Sequence, residues 1–182
     1  GVPILKVPVG EEYHVSPDPD MHRIIDGHLY TDFSTDTHTY IKKDGKPLFS
    51  YQGAEMICDF EVLDGEVHTL GHSRSGSGFS YRVNGTVVLE RNDGYTFERI
   101  SFDDSVAVIP FAETITSVEG TLERYYVMMD GKVMQVALRE DIKKVWDIAC
   151  KDGEVYYLAS LTGLSLPVLI SGEKMLALSM PS

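Results

Sequence analysis

The sequence predicts an all-β chain made of about four four-stranded antiparallel meanders, and three observations carry that expectation. Asp-Gly and Asn-Gly dipeptides recur between short runs of alternating apolar and polar residues, the pattern of two-residue hairpins whose central residues need positive φ. A thirteen-residue phrase occurs twice with Asp-Gly at the same offset, as ICDFEVLDGEVHT at 57–69 and VWDIACKDGEVYY at 145–157. Helix finds almost no place: Arg139–Lys144 has some helical propensity, but the repeat register asks for a loop there, so at most one turn is expected.

Taken in order, residues 1–20 form an extended lead-in. VPILKVPV is apolar and strand-like, and Pro3 and Pro8 confine it to a sheet edge, which it would extend or close. SPDPDMH at 16–22 brings Asp18, Asp20 and His22 together, but its prolines suit a rigid approach to the first strand better than a calcium loop. The first unit, 21–53, has turns at Asp26-Gly27 and Asp44-Gly45. The second, 54–96, has Asp64-Gly65 and Asn84-Gly85, which separate the strands MICDFEV, EVHTLGH, FSYRV and TVVLER. Asn84-Gly85-Thr86 also matches a glycosylation sequon, yet the tight turn already explains Asn-Gly there. The third unit, 97–142, opens on a degenerate Asp103-Asp104 copy, carries Asp130-Gly131, and is lengthened by an insertion at 110–124, read either as a long hairpin tip or as a binding element. The fourth, 143–182, has Asp152-Gly153 and Ser171-Gly172 between KVWDIAC, EVYYLAS, LPVLI and KMLALS.

Successive sheets of this kind make the fold propeller-like, with about four blades, each ordered strand, tight turn, strand, longer loop, strand, tight turn, strand. Val145, Trp146, Asp147, Ile148, Gly153, Val155 and Tyr156, with Asp59, Phe60, Gly65, Val67, Asn84, Gly85 and Leu89, give the units a pattern that resembles β-propeller repeat proteins of the uncharacterised bacterial envelope type. The resemblance covers the second and fourth units best. It implies a fold and a secreted, periplasmic or cell-surface setting, and supplies no catalytic residues. Trp146, Ile148, Val155 and Tyr157, like Ile57, Phe60, Val67 and Leu70, are expected in the core. Asp59 and Asp147 are expected to anchor neighbouring turns by accepting backbone N–H bonds.

With 182 residues and 43% hydrophobic residues the chain suits one domain with a real core. A formal charge of −12 makes nucleic acid a poor partner. No apolar run approaches the length of a membrane helix, and Gly1, followed by no leader pattern, suggests a processed form. Cys58 and Cys150 are two isolated thiols, expected as small buried hydrophobes on one strand face. No cofactor motif and no zinc spacing occur, so neither a metal nor a cofactor is expected. SRSGSG at 73–78 fits neither a phosphate loop nor a nucleophile elbow.

A meander places its tight turns at one end and its longer loops at the other, where binding usually sits. That end gathers DFSTDTHTY, GHSRSGSGF, PFAETITSVEGTLER and LASLTGLSL, with SYQGAE, RNDGYTFER and REDIKK between units. Asp32, Asp36, His38, His72, Arg74 and Glu113 are the candidate ligand-binding residues. The expected function is a noncatalytic binding or scaffolding module for a glycan, peptide or protein, as a monomer or a homodimer that completes a ring. The rival is a carbohydrate-active hydrolase or lyase drawing on Asp32, Asp36, Glu113 and Arg74, which requires converging carboxylates.

Overall fold

The computed structural model describes residues 22–35, 37–52, 55–73, 78–118, 120–172 and 174–176, with only the backbone of Ser73 and Leu176. The chain is all-β, and no helix occurs among these residues. Four sheets follow one another along the sequence, each an antiparallel meander in chain order. The first holds β1 (His22–Ile25), β2 (His28–Ser34), β3 (His38–Lys43) and β4 (Lys46–Gln52); the second β5 (Glu55–Leu63), β6 (Glu66–Ser73), β7 (Phe79–Val83) and β8 (Thr86–Arg91). Next comes β9 (Gly94–Thr96), then β10 (Ser101–Asp103), β11 (Val106–Ser117), β12 (Gly120–Met129) and β13 (Lys132–Gln135). The last sheet is β14 (Ile142–Lys151), β15 (Glu154–Leu161), β16 (Val168–Ser171) and β17 (Lys174–Leu176). Pro167, placed by the sequence reading in a strand, stays outside β16, because it has no N–H for the ladder.

The hairpin reading holds in backbone detail. Asp26, Asp44, Asp64, Asn84, Asp130 and Asp152 have φ of 49–54°, and the glycine after each has φ of 68–82°, which suits the turn that matches strand twist. Asp and Asn serve a second purpose here. Asp44 Oδ1 accepts from Leu29 N at 2.9 Å while Asp44 N donates to Leu29 O at 2.7 Å. Asn84 brackets Val67 in the same way, at 2.9 and 2.8 Å.

Two turns are displaced by one residue. Ser171 pairs with Lys174, so the fourth unit turns after Ser171, with Gly172 (φ 55°) in the position that Asp or Asn holds elsewhere. Asp103 pairs with Val106, so the third unit turns at Asp104-Ser105. Asp103 then caps the next unit: Oδ1 accepts from Asp152 N at 2.8 Å and Oδ2 from Gly153 N at 2.7 Å. Those two amides hold its carboxyl below the usual range. Asp103→Ala is expected to lower the melting temperature by about 3–5 °C near pH 7. A depressed native pKa stabilises above the unfolded value, so the deficit shrinks as pH falls through the carboxylate range. Thermal scans at pH 7 and pH 3 check both statements.

The repeated phrase breaks strict alternation at one shared place. A β-bulge lies between Ile57 and Asp59 and again between Val145 and Asp147. Residues on either side of a bulge both face inward while the extra one is pushed out. Val145 and Ile148 are buried, whereas Trp146, expected in the core, is 49% exposed, and Val155 is only half-buried. Cys58 is the extra residue of the earlier copy; it is half-buried and donates to Leu70 O at 3.3 Å. Cys150 is buried, so the bulge undoes the expectation that both thiols share one face. Both cysteines are free. β9, assigned by the sequence to the second unit, pairs β11 and makes the third sheet five-stranded. The insertion at 110–124 is a long hairpin, β11 against β12, with Ser117 opposite Gly120.

By contacts the chain divides into two compact units: residues up to Gly94 with Glu98–Ile100, and Tyr95–Phe97 with residues from Ser101 onward. In the first, Tyr30, Ile41 and Tyr51 pack against Ile57, Phe60 and Val67. In the second, Val108, Ala112, Tyr125 and Val127 pack against Val145, Ile148, Tyr157 and Ile170. Each buried valine, isoleucine or phenylalanine here contributes about 1.5–3 kcal/mol. Asp59 ties the first unit together by accepting from Ile100 N at 2.6 Å and from Arg23 at 2.7 Å, a distant connection in place of the neighbouring turn expected. Asp147 accepts from Ile148 N at 2.8 Å.

Candidate functional site

The candidate residues of the first unit are scattered. Asp32 lies inside β2 and is 4% exposed. Its Oδ1 is buried with no hydrogen-bond donor among the described residues, and desolvation pushes its pKa up to about 6. His38 opens β3, with Nδ1 2.9 Å from Thr37 Oγ1 and its ring tilted against Tyr40. His72, near the end of β6, has Nε2 3.5 Å from a Glu98 carboxylate oxygen. Asp36 and Arg74 lie outside the described residues, as do Asp18, Asp20, VPILKVPV and most of SRSGSG. Glu113 belongs to the second unit, half-buried on β11 opposite Arg124. Among the described residues no group of three or more His, Cys, Asp or Glu is arranged to hold a metal ion. No helix there is long and apolar enough to cross a membrane.

The second unit carries a cleft that sequence reasoning did not assemble. The start of β12 (Thr121–Tyr125), the connection after β13 (Gln135–Arg139) and the start of β14 (Ile142–Lys144) enclose about 800 Å³. All three belong to the loop end of their sheets, because the tight turns at 130–131 and 152–153 lie at the opposite end. A second cleft, of about 620 Å³, lies between Met134–Ala137 and the turns at Gly153 and Gly172, and shares Gln135, Val136 and Ala137 with the first.

Leu122, Leu138 and Ile142 give the loop-end cleft an apolar part, and Arg124, Arg139, Lys143 and Lys144 its charge. Its acidic groups are already engaged. Glu123 Oε1 accepts from Tyr95 OH at 3.2 Å, and its other oxygen accepts from Tyr125 OH. Burial first, and then the Glu123 bond, hold the Tyr125 hydroxyl well above the ordinary phenol range. Glu123 is therefore held as an acceptor between two protonated phenols, an arrangement that anchors a wall of the cleft. Tyr95, Phe97 and Tyr125 make a series of tilted ring contacts, with centroids 6.1 and 6.3 Å apart. Arg139 is held by Asp141 through two bonds of 3.0 and 2.9 Å.

Among the described residues Arg124, Lys143 and Lys144 are held in no ion pair, although Glu113 faces Arg124 across the ladder. Arg124 and Lys143 are exposed. Lys144 Nζ sits 3.9 Å from the centre of the Trp146 ring, an arrangement that steadies an ammonium. That ring is itself fixed by Trp146 Nε1 donating to Ser160 Oγ at 2.7 Å. The signal available in the sequence was the basic pair of REDIKK facing the arginine of TLER, both already assigned to the loop end. No family model, curated protein or solved structure matches this chain.

Proposed function

We propose that the protein is a noncatalytic binding module in which the four meanders are the blades of a small propeller, and that its ligand enters the loop-end cleft of the second unit. The observation that carries the reading is that cleft: positive, partly apolar, and placed where irregular connections meet a rigid sheet. The propeller is supported by four consecutive meanders of one repeat with the same turn chemistry. A bacterial envelope setting rests on the repeat resemblance alone. The ligand class is a glycan, peptide or protein surface. Light scattering at several concentrations distinguishes a ring closed within one chain from one completed by a second copy.

The test is a ligand-dependent melting screen over glycan and peptide panels. A hit is expected to disappear when Leu122→Trp, at a residue that lines this cleft and not the other, fills it, and to persist in Asp32→Asn. A ligand that binds Leu122→Trp unchanged would place the site elsewhere.

The second reading, a carbohydrate-active hydrolase or lyase, draws on one specific feature. Asp32, with a pKa near 6, resembles a general acid. It would need a second carboxylate within reach, and turnover abolished in Asp32→Asn is the result that would favour it.

A further inference from the structure

We propose that the loop-end cleft takes a short acidic saccharide, one to three sugar units long and bearing uronate carboxylates, a reading that rests on the binding role above. The charge argument comes first. The chain carries −12 overall, yet Arg124, Lys143 and Lys144 line one cleft and, among the described residues, none of them is held in an ion pair, although Glu113 is the cross-strand neighbour of Arg124. Glu123, which also lines the cleft, is held between phenols, and Asp141 is held by Arg139. Unpaired cations gathered in a concavity are a site for an anion.

Size and wall chemistry narrow the anion. About 800 Å³ accommodates a small ligand. A long polyanion would leave the cleft and run over an acidic surface, where repulsion within the Debye length of about 8 Å opposes it. Two of the three cations are lysines, which act as point charges and suit single carboxylates spaced along a ligand. A phosphate group would be better served by a backbone cradle at a glycine loop. Leu122, Leu138 and Ile142 offer apolar surface to the C–H faces of sugar rings.

Calorimetric titration of the full chain with digalacturonate, its neutral counterpart galactobiose and triglutamate is the test, run at low and at physiological salt. Digalacturonate is expected to bind, with galactobiose at least about tenfold weaker. Raising the salt should weaken digalacturonate several-fold, and Arg124→Gln with Lys143→Gln should weaken it at least about tenfold while the melting temperature stays put. Galactobiose binding as tightly as digalacturonate would overturn the charge argument and leave the binding role intact. Tighter binding of triglutamate would make this a peptide site and overturn the saccharide class. No binding of any probe, with the melting screen still finding a cleft ligand, would overturn the proposal alone; failure of both would remove the binding role as well.

Discussion

Arg82→Met is expected to destabilise the protein by about 3–5 kcal/mol, the cost of leaving a buried carboxylate without its cation. Arg82 Nη2 lies 2.8 Å from Glu55 Oε1, and each side chain is 11% exposed. The guanidinium also covers the Tyr51 ring at 4.2 Å, and Tyr51 OH donates to the other Glu55 oxygen at 3.1 Å. Gly71 makes room for this group: a Cβ there would stand 3.1 Å from Glu55 Oε2. Methionine keeps most of the volume and removes the charge, so the loss measures the stranded carboxylate. Glu55→Gln combined with Arg82→Met should recover much of that loss, since neither member then leaves a charge buried. Urea unfolding of the two single variants and the double variant checks this; a cost below about 1 kcal/mol for Arg82→Met would show the pair to be solvated.

Asp32→Asn is expected to do the opposite and stabilise the protein at pH 7.5, by about 1–3 kcal/mol. The native pKa near 6 lies above the ordinary value of 3.8, so between those values the folded chain keeps a proton that the unfolded chain has released. Stability from this group is complete below about pH 4 and is lost as pH rises through 6, amounting to about 3 kcal/mol at about 1.4 per pKa unit. Asparagine abolishes the ionisation but leaves a polar group at a buried position, which brings the gain below that limit. The advantage of the variant should fade to nothing near pH 4, as read by urea unfolding at pH 4, 5, 6 and 7.5.

The turns were legible because only a few residue types accept positive φ, and Asp-Gly or Asn-Gly between alternating runs states that requirement locally. Strand limits in the second unit followed from the same punctuation. Bulges were not legible. The residue displaced at 58 or 146 can be of almost any type, and the register shift depends on pairing with the next strand. Trp146 was therefore assigned to the core and Cys58 to the face of Cys150. β9 lies in RNDGYTFER, read from the sequence as a connection between units, because three residues carry too little pattern to mark a strand and long-range pairing with β11 decides it. Asp32 is expected on a loop and instead lies buried inside β2, because burial depends on contacts that local sequence pattern does not state. The cleft was hidden for a related reason. Arg139, Lys143 and Lys144 lie together in REDIKK, but Arg124 is fifteen residues before them, and only the hairpin of β11 and β12 brings it beside the others.

Backbone amide shift mapping during digalacturonate titration tests the central functional claim most directly. Perturbations concentrated at Leu122, Arg124, Leu138, Lys143 and Lys144 are the expected result. Perturbations centred on Asp32, His38 and His72, with the 121–144 segments unmoved, would contradict it.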